Sequence, residues 1–363
     1  MKIADYVENQ IKGLWGTDFD EDGIPVIKTN NLTYEGYIDY SDVCKRNIPR
    51  EQAKEWYLKP GDLLIEKSGG TKTHSVGYVS YFEGETNKYV CNNFILALRL
   101  KNTINSKFLF YQIQFKYDSN QFSDCFNKTT GIQNLKVKDY LDKEIKVFDV
   151  KKQAEIVREL DIIRSVIDKK KQILEKYDTL IKSRFIEMFG DPVKNPMGWE
   201  NKFGKELFSF SSGKFLDASK RMEKGIPVYG GNGIAWYTDI PLISFDTIII
   251  GRVGAYCGNI KKVQEPVWVT DNAIYIKQFK EKCFNLYFLY ELMSYMNFYQ
   301  YADFSGQPKI TQKPLENNKY IIPPIEKQKQ FATFVQQIDK SKFEIWLYIN
   351  MCVIIEKRVF VYD

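Results

Sequence analysis

The sequence predicts an α+β protein made of two copies of one unit, each a mixed α/β domain followed by a long helix. Short motifs return in the same order, two segments carry heptad spacing, and proline or glycine bounds those segments. We expect the two long helices to pair as an antiparallel coiled coil, which would give the chain a dumbbell shape with pseudo-two-fold symmetry.

The internal repeat consists of five motif pairs, which occur in the same order in both halves of the 363 residues. The pairs are GIPVIKTNNL from Gly23 with GIPVYGGNGI from Gly225, PGDLLIEKSGG from Pro60 with SFDTIIIGRVG from Ser244, YVCNNFILALRLK from Tyr89 with WVTDNAIYIKQFK from Trp268, KFLFYQI from Lys107 with NLYFLYEL from Asn285, and the segment from Thr129 with the segment from Phe304. Each match is short, but five in order indicate a duplicated unit.

The two long helices are predicted from apolar residues that alternate four and three positions apart. The predicted seam is Ile156, Leu160, Ile163, Ile167, Leu174, Tyr177 and Ile181 in the first helix and Phe331, Val335, Ile338, Ile345 and Ile349 in the second. A helix of about 38 residues is about 57 Å long. Because a domain of this size cannot bury that length, we expect the helices to cover each other; the alternative is an ordinary core stripe.

Proline and glycine set the predicted boundaries. Pro323 and Pro324 precede the second helix, and Gly190 follows the first. The predicted segments are a first domain over 1–146, a first long helix over 147–190, a second domain over 191–322 and a second long helix over 323–363.

The composition is that of a globular protein, with 44% hydrophobic residues and 12 prolines. The formal charge of +6 permits an acidic partner without requiring one. The six cysteines are widely spaced, without metal-binding or disulfide patterns, so we expect a cytoplasmic location. No segment is long and apolar enough to predict a membrane span.

Catalytic and cofactor motifs are missing from the sequence. The single histidine, His74, excludes most histidine-dependent catalytic and metal arrangements, and no phosphate-binding loop of the Walker type occurs. Asp62, Glu66 and Lys67 resemble a metal-nuclease cluster only superficially, because neighbouring strand residues point to opposite faces. We therefore expect no catalytic, cofactor-binding or metal-binding residues in this chain.

Glycine-containing loops with polar and basic side chains occur at matching places in both copies, and they fit contact with DNA. The candidate DNA-binding residues are Lys67, Ser68, Gly69, Gly70, Thr71, Lys72, His74, Lys128, Thr129, Thr130 and Gln133 in the first copy and Tyr229, Asn232, Arg252, Tyr256, Ser305, Gln307 and Lys309 in the second. We expect the loops around Gly69, Gly131, Gly254 and Gly306 to face the major groove. The alternative is that they are surface turns.

The whole chain resembles the specificity subunits of Type I restriction–modification enzymes. The resemblance is carried by the duplicated layout, by KKQAEIVRELDIIRSVIDKKKQILEKYDTLIKSRFIEMFGDPVKNPMGWE from Lys151 and by IPPIEKQKQF from Ile322. It implies that the two domains are target-recognition domains, each reading one half of a bipartite site in double-stranded DNA. It further implies that the helices set the spacer and dock the modification subunits, and that restriction subunits join them.

The resemblance also implies that this chain holds no cofactor, since S-adenosylmethionine, ATP and Mg would lie on the partner subunits. The sequence departs from the family in its last segment, which is more apolar and contains fewer lysines and glutamates than the family's usual last helix. Two other functions stay open. One is a structural coiled-coil scaffold with protein- or sugar-binding end domains, and the other is a nuclease with its own metal site at Asp62 and Glu66.

Overall fold

The computed structural model describes residues 1–71, 74–128, 132–264 and 266–360. Two compact units make up the chain: unit 1 is Met1–Asp168 with Ile349–Asp363, and unit 2 is Lys169–Tyr348. Both divisions fall inside a long helix, so each unit contains part of both long helices. No described helix has the length and apolar character needed to cross a membrane.

Unit 1 contains short strands and helices, which precede the first long helix. They are β1 (Val7–Ile11), β2 (Phe19–Ile27), β3 (Cys44–Arg46), α1 (Arg50–Lys54), β4 (Leu63–Glu66), β5 (Ser68–Gly69), β6 (Val79–Tyr81), β7 (Val90–Cys91), β8 (Ile95–Leu100), α2 (Ser106–Asp118), β9 (Phe126–Lys128), β10 (Gln133–Leu135) and α3 (Val137–Leu141). The first long helix, α4 (Val150–Phe189), begins in this unit.

Unit 2 repeats this plan after α4 ends. Its elements are β11 (Asn201–Phe203), α5 (Gly204–Leu207), β12 (Phe208–Ser212), β13 (Ile226–Gly230), β14 (Gly233–Thr238), β15 (Thr247–Gly251), β16 (Ile260–Val263), β17 (Trp268–Val269), β18 (Ala273–Phe279), α6 (Leu286–Tyr295), α7 (Gln312–Asn317) and β19 (Lys319–Ile321). The second long helix, α8 (Ile325–Arg358), begins here and ends in unit 1.

The same antiparallel four-stranded sheet lies at the centre of each unit. Its strand order is β1-β8-β4-β6 in unit 1 and β12-β18-β15-β16 in unit 2. Leu63 on β4 pairs with Tyr81, and Ile248 on β15 pairs with Lys262. The central strands β4 and β15 are buried along their length, as a strand with both faces covered requires. The duplicated sequence therefore gives two copies of one fold.

The long helices begin and end at recognisable caps. The Asp149 carboxylate accepts a 3.0 Å hydrogen bond from the Lys152 amide, so α4 starts after Asp149 rather than at the predicted residue 147. Gly190 then ends it in a left-handed conformation, with φ of 73°. The second helix begins after Pro324 and extends to Arg358, whereas the prediction continued to residue 363; residues 361–363 lie outside the described residues.

In unit 2, α4 and α8 pack against each other in antiparallel directions. The Phe331 ring lies 5.6 Å from the Phe185 ring and 5.7 Å from the Phe189 ring. Further along α8, Lys342 forms an ion pair with Asp178, so later residues of α8 meet earlier residues of α4. Each of the predicted seam residues in this unit is buried or half-buried.

In unit 1, the seam residues have a mixed role. The Arg164 side chain of α4 pairs with Glu356 of α8 at 2.9 Å, which is a helix–helix contact. Ile156 and Leu160, however, belong to the core that also contains Phe108. The same holds in unit 2, where Phe331 and Val335 belong to the core that also contains Phe288. In each unit the stripe is therefore also an ordinary core stripe, which was the alternative interpretation of the spacing. A four–three pattern cannot distinguish the two because both bury the same face of the helix.

A buried glutamine anchors each long helix to its unit. The Oε1 atom of Gln153 accepts a 2.9 Å bond from the Asn105 amide, and its Nε2 donates to the Phe148 carbonyl at 2.7 Å. In unit 2, Gln328 Oε1 accepts from the Asn285 amide at 2.9 Å. Its Nε2 donates to the carbonyls of Pro323 and Cys283 at 2.8 and 2.9 Å.

We expect Gln328→Ala to lower the free energy of unfolding of the chain by about 2–3 kcal/mol, since it leaves buried backbone groups without partners. Urea and thermal unfolding would measure the loss. Gln330→Ala, at an exposed position of the same helix, is the matched control and should change stability by less than about 0.5 kcal/mol. Equal losses in both variants would contradict the anchoring role.

Candidate nucleic-acid interface

In unit 1, main-chain hydrogen bonds hold Lys67, the basic residue that follows the central strand β4. The Lys67 amide donates to the Phe94 carbonyl at 2.8 Å, and the Lys67 carbonyl accepts from the Leu135 amide at 2.8 Å. Lys67 thus lies between the turn before β8 and the strand that follows the second predicted loop. Its side chain is half-buried.

The two predicted loops of the first copy come together on one small sheet, with strand order β5-β10-β9. Gly69 pairs with Gln133 and Ser68 pairs with Asn134, and the Ser68 hydroxyl donates to Asn134 Oδ1 at 2.7 Å. Residues more than sixty positions apart in the sequence therefore form one surface.

Several predicted contact residues in unit 1 are engaged within the loops. Gln133 Oε1 accepts from the Val76 amide at 3.2 Å, and Gln133 Nε2 donates to the Thr71 carbonyl at 3.4 Å. The His74 ring stacks on Tyr34 with centroids 3.8 Å apart. Gln133 and His74 therefore stabilise the conformation of these loops through contacts within unit 1.

The remaining predicted residues of the first copy are placed as follows. Thr71 is exposed, and its hydroxyl accepts from the His74 amide at 3.0 Å. Gly70 adopts a φ of 71°, and the backbone of Lys128 pairs with Gln133. Lys72, Thr129, Thr130 and Gly131 lie outside the described residues.

In unit 2, Arg252 occupies the position that Lys67 occupies in unit 1. The Arg252 amide donates to the Asn272 carbonyl at 2.9 Å, and its carbonyl accepts from the Ile310 amide at 2.9 Å. The Arg252 guanidinium also donates to the Asp271 carbonyl at 3.1 Å. Each unit thus holds a basic residue at the end of its central strand by the same two main-chain hydrogen bonds.

The three predicted loops of the second copy also meet. The Gly254 amide donates to the Pro308 carbonyl at 2.8 Å, and Val253 forms a bridge with Lys309. A side chain at Gly231 would lie 3.3 Å from the Val253 carbonyl oxygen, so the third loop lies close by.

Among the described residues, more candidate side chains of these loops are exposed than in unit 1. The exposed residues are Asn232, Tyr256, Ser305, Gln307 and Lys309. Tyr229 is half-buried. Apart from Gly306 and its two chain neighbours, no atom of the described residues lies within 4 Å of the position that a Cβ at Gly306 would take, so that loop tip is open.

Three exposed apolar residues lie in or beside these loops and were not among the predicted contacts. Phe94 is 56% exposed, although its carbonyl binds the Lys67 and Ser68 amides. Ile132 and Phe304 are exposed to a similar degree in the second loop of each copy. The sequence could have identified these residues as apolar positions inside glycine- or asparagine-rich turns. Such residues can make apolar contacts with bases.

One position differs in charge between the units. Glu66 precedes Lys67 and is buried, whereas Gly251 precedes Arg252. Glu66 Oε1 accepts a 3.3 Å bond from the Gly70 amide, and Oε2 has no partner among the described residues. Burial raises the pKa of the Glu66 carboxyl, and the bond from Gly70 offsets this only in part.

Asp62, the first residue of the cluster considered for a nuclease, forms an ion pair with Arg99. Both carboxylate oxygens of Asp62 accept bonds from Arg99, at 3.0 and 2.7 Å. Within the described ranges, no group of three or more His, Cys, Asp or Glu side chains is placed to hold a metal ion. Asp62 is thus committed to Arg99 and not to an open site.

Comparison with known proteins gives a consistent result. A family model described as "Type I restriction modification DNA specificity domain" matches residues 17–177 and again residues 196–346, once in each copy. Over 139 residues, 37% of this chain, the sequence is 27% identical to the EcoprrI Type I restriction enzyme specificity subunit of Escherichia coli. That match covers only 34% of the relative's length.

Two further similarities extend along the chain. A match of 352 residues, 88% of this chain and 81% of the relative, is 24% identical to the putative type I restriction enzyme MjaX specificity subunit of Methanocaldococcus jannaschii. The crystal structure of a Type-I restriction–modification S subunit from M. genitalium has a TM-score of 0.59 at 18% identity, covering 99% of this chain and 94% of that one. This last similarity concerns the fold.

We expect Glu66→Gln to remove part of the pH dependence of stability. The folded-state pKa of Glu66 is raised above 4.5, so the unfolded chain releases this proton first as the pH rises. Wild-type stability should therefore fall from about pH 4.5 up to the folded pKa and then level off. Urea unfolding across this range, with the exposed Glu8→Gln as control, should show a flatter profile only for Glu66→Gln; parallel profiles would contradict the assignment.

Proposed function

Because this chain belongs to the family of Type I restriction–modification DNA specificity domains, we propose that it selects the DNA sequence on which a restriction–modification complex acts. The observation that carries this proposal is the repeated clamp, which fixes Lys67 in one unit and Arg252 in the other by equivalent main-chain bonds. A cation in a fixed position beside glycine-containing loops suits contact with a phosphate or with the acceptor edge of guanine.

Each unit is proposed to read one half of a bipartite site. The two surfaces share their backbone framework but differ in their side chains: Lys67 follows a buried acid, whereas Arg252 follows a glycine and lies near the exposed Tyr256. Side chains of different shape and charge favour different base pairs. The two halves of the site should therefore differ in sequence.

The long helices are proposed to act as a spacer and as the docking element for modification subunits. The aromatic contacts of Phe331 with α4 and the Arg164–Glu356 pair support an antiparallel coiled coil. A rod of fixed length between two reading surfaces would determine the number of base pairs between the half-sites.

The chain is proposed to be non-catalytic. Methyl transfer from S-adenosylmethionine and the reactions that need ATP and Mg are assigned to modification and restriction subunits. The family match disfavours a purely structural scaffold with protein- or sugar-binding ends. The Asp62–Arg99 pair disfavours a nuclease centre at Asp62.

Methylation mapping tests the proposal directly. The chain would be co-expressed with modification subunits from the same source, and methylated bases would be mapped genome-wide. We expect one bipartite motif, which disappears when this chain is omitted. If residues 1–146 are exchanged for the corresponding domain of another member, one half of the motif should change. Methylation that persists without this chain, or a change in both halves, would contradict the proposal.

We expect Arg252→Ala and Lys67→Ala to weaken binding of DNA by about 1–3 kcal/mol each, and each to relax selectivity in a different half of the motif. Competition binding with duplexes altered in one half-site would measure this at fixed salt concentration. Lys282→Ala is the control and should change affinity little. Lys282 is exposed and follows β18, whereas Arg252 is bonded to the residue that precedes β18. Equal effects of Arg252→Ala on both half-sites would argue against the division of reading.

A further inference from the structure

A cleft of about 1150 Å³ opens on one side of unit 2. It lies between the edge strand β16, the helix α6 and the parts of α4 and α8 in this unit. Its lining includes Lys261, Lys262, Tyr290, Glu291, Ser294 and Asp339. Of the candidate DNA-binding loops, the loop around Gly254 borders this cleft through Ala255, Tyr256, Cys257 and Gly258.

In unit 1, a loop of residues 33–37 fills the corresponding place. Four successive carbonyls of this loop accept hydrogen bonds. The donors are Ser80 Oγ to Thr33 at 3.4 Å, Gln114 Nε2 to Tyr34 at 3.2 Å, Arg164 Nη1 to Glu35 at 3.0 Å and the Tyr81 amide to Gly36 at 2.9 Å. The loop is therefore held mainly through its backbone.

Equivalent hydrogen bonds in the two units show which residues around loop 33–37 correspond to residues that line the cleft. Asn105 and Asn285 cap α2 and α6, and each amide binds the anchoring glutamine of its unit. Counting from these caps, Phe110 and Gln114 correspond to Tyr290 and Ser294.

The long helices and the edge strands of the two units can be compared in the same way. Counting from the glutamines, Arg164 corresponds to Asp339, and the strand pairing matches Tyr81 with Lys262. All these counterparts in unit 2 line the cleft. The cleft is thus the place that loop 33–37 fills in the first copy.

The second copy does not supply a loop of its own. Where unit 1 has residues 28–43 between β2 and β3, unit 2 has a tight hairpin in which Gly230 pairs with Gly233. The chain turns back at once, and the cleft stays open.

The edge strand β16 leaves a main-chain donor at the cleft. In unit 1, Tyr81 pairs with Leu63 but its amide points outward to the Gly36 carbonyl. Lys262 pairs with Ile248 in the same way, so its amide also points away from β15. No acceptor for this amide occurs among the described residues.

The charge of the cleft favours an acidic occupant. Four lysines and three carboxylates line it, and the pairs Lys342–Asp178 and Lys262–Asp339 account for two of each. Lys182 and Lys261 have no carboxylate within salt-bridge distance in the described part of the chain. Burial raises the pKa of Glu291 to about 7, which reduces the remaining negative charge near neutral pH. Loop 33–37 itself carries an acid, Glu35.

We propose that this cleft binds an extended, acidic segment of a partner protein, which adds to the edge of β16 as loop 33–37 does in unit 1. The segment would accept the Lys262 amide with a backbone carbonyl and place its carboxylate near Lys261 and Lys182. This inference concerns protein binding and does not rest on the proposed DNA recognition.

The probe for this proposal is a synthetic peptide with the sequence of residues 31–39, Asn-Leu-Thr-Tyr-Glu-Gly-Tyr-Ile-Asp. Titration into the full chain, followed by fluorescence anisotropy of a label on the peptide, would measure its affinity. We expect saturable binding with a Kd below about 1 mM, and weaker binding of a peptide in which the glutamate is replaced by lysine. Absence of binding up to about 1 mM would overturn the proposal.

Two matched variants test the main-chain contact. Lys262→Pro and Lys262→Val both remove the ammonium group, but only proline removes the amide donor, and an edge strand tolerates it. We expect the peptide to bind Lys262→Pro about tenfold more weakly than Lys262→Val. Equal affinities in the two variants would contradict edge addition.

A third variant keeps the test valid if Lys262→Pro does not fold. Ser294→Trp places a large ring in the cleft from an exposed helix position, and its melting temperature would verify folding. It should abolish peptide binding while leaving the affinity for DNA unchanged. Undiminished peptide binding by folded Ser294→Trp would show that the peptide binds elsewhere and would overturn the proposal.

Discussion

A single buried side chain, repeated once, sets the geometry between each long helix and the unit in which it begins. Gln153 and Gln328 are both the fourth residue of their helices, and each accepts a hydrogen bond from the asparagine that caps the neighbouring short helix. The side-chain amide of glutamine both donates and accepts. It can therefore bond the main-chain amide of the capping asparagine and a main-chain carbonyl of the segment before the long helix at the same time. A shift of the helix by one residue would leave these buried groups unpaired, so the direction of the helix is tied to the sheet.

The two units agree in their main-chain hydrogen bonds and differ in side chains and loop length. Lys67 and Arg252 are held in the same way, yet a buried acid precedes one and a glycine precedes the other. Similarly, loop 33–37 covers a surface in unit 1 that a tight hairpin leaves open in unit 2. Duplication has therefore preserved the framework while the surfaces have become different.

The sequence was sufficient for the features that depend on periodicity and order, namely the repeat and the long helices. It was not sufficient for strand register. The motif match aligns Asp62 of the first copy with Asp246 of the second, whereas the strand pairing makes Thr247 the counterpart of Asp62. A shift of one residue exchanges the faces of a strand, and short apolar runs do not resolve it.

Side-chain roles at the site were also beyond the sequence. Gln133 and His74 have the chemistry of base-reading residues, but their partners Val76 and Tyr34 lie far away in the chain. Whether a polar side chain faces outward or fixes a loop depends on such long-range neighbours. The helix seam had the same limit, since Ile156 and Leu160 pack into a domain core with the spacing of a coiled coil.

The clamp at Lys67 and Arg252 has a consequence for how this molecule can change over evolutionary time. Its anchors are an amide and a carbonyl, which nineteen of the twenty amino acids possess, so the identity of the side chain contributes little to holding the loop. Exchanges at these two positions therefore alter the side chain beside the glycine-containing loops at small cost in folding free energy. A lineage under pressure to recognise new targets could explore substitutions here while retaining an intact scaffold.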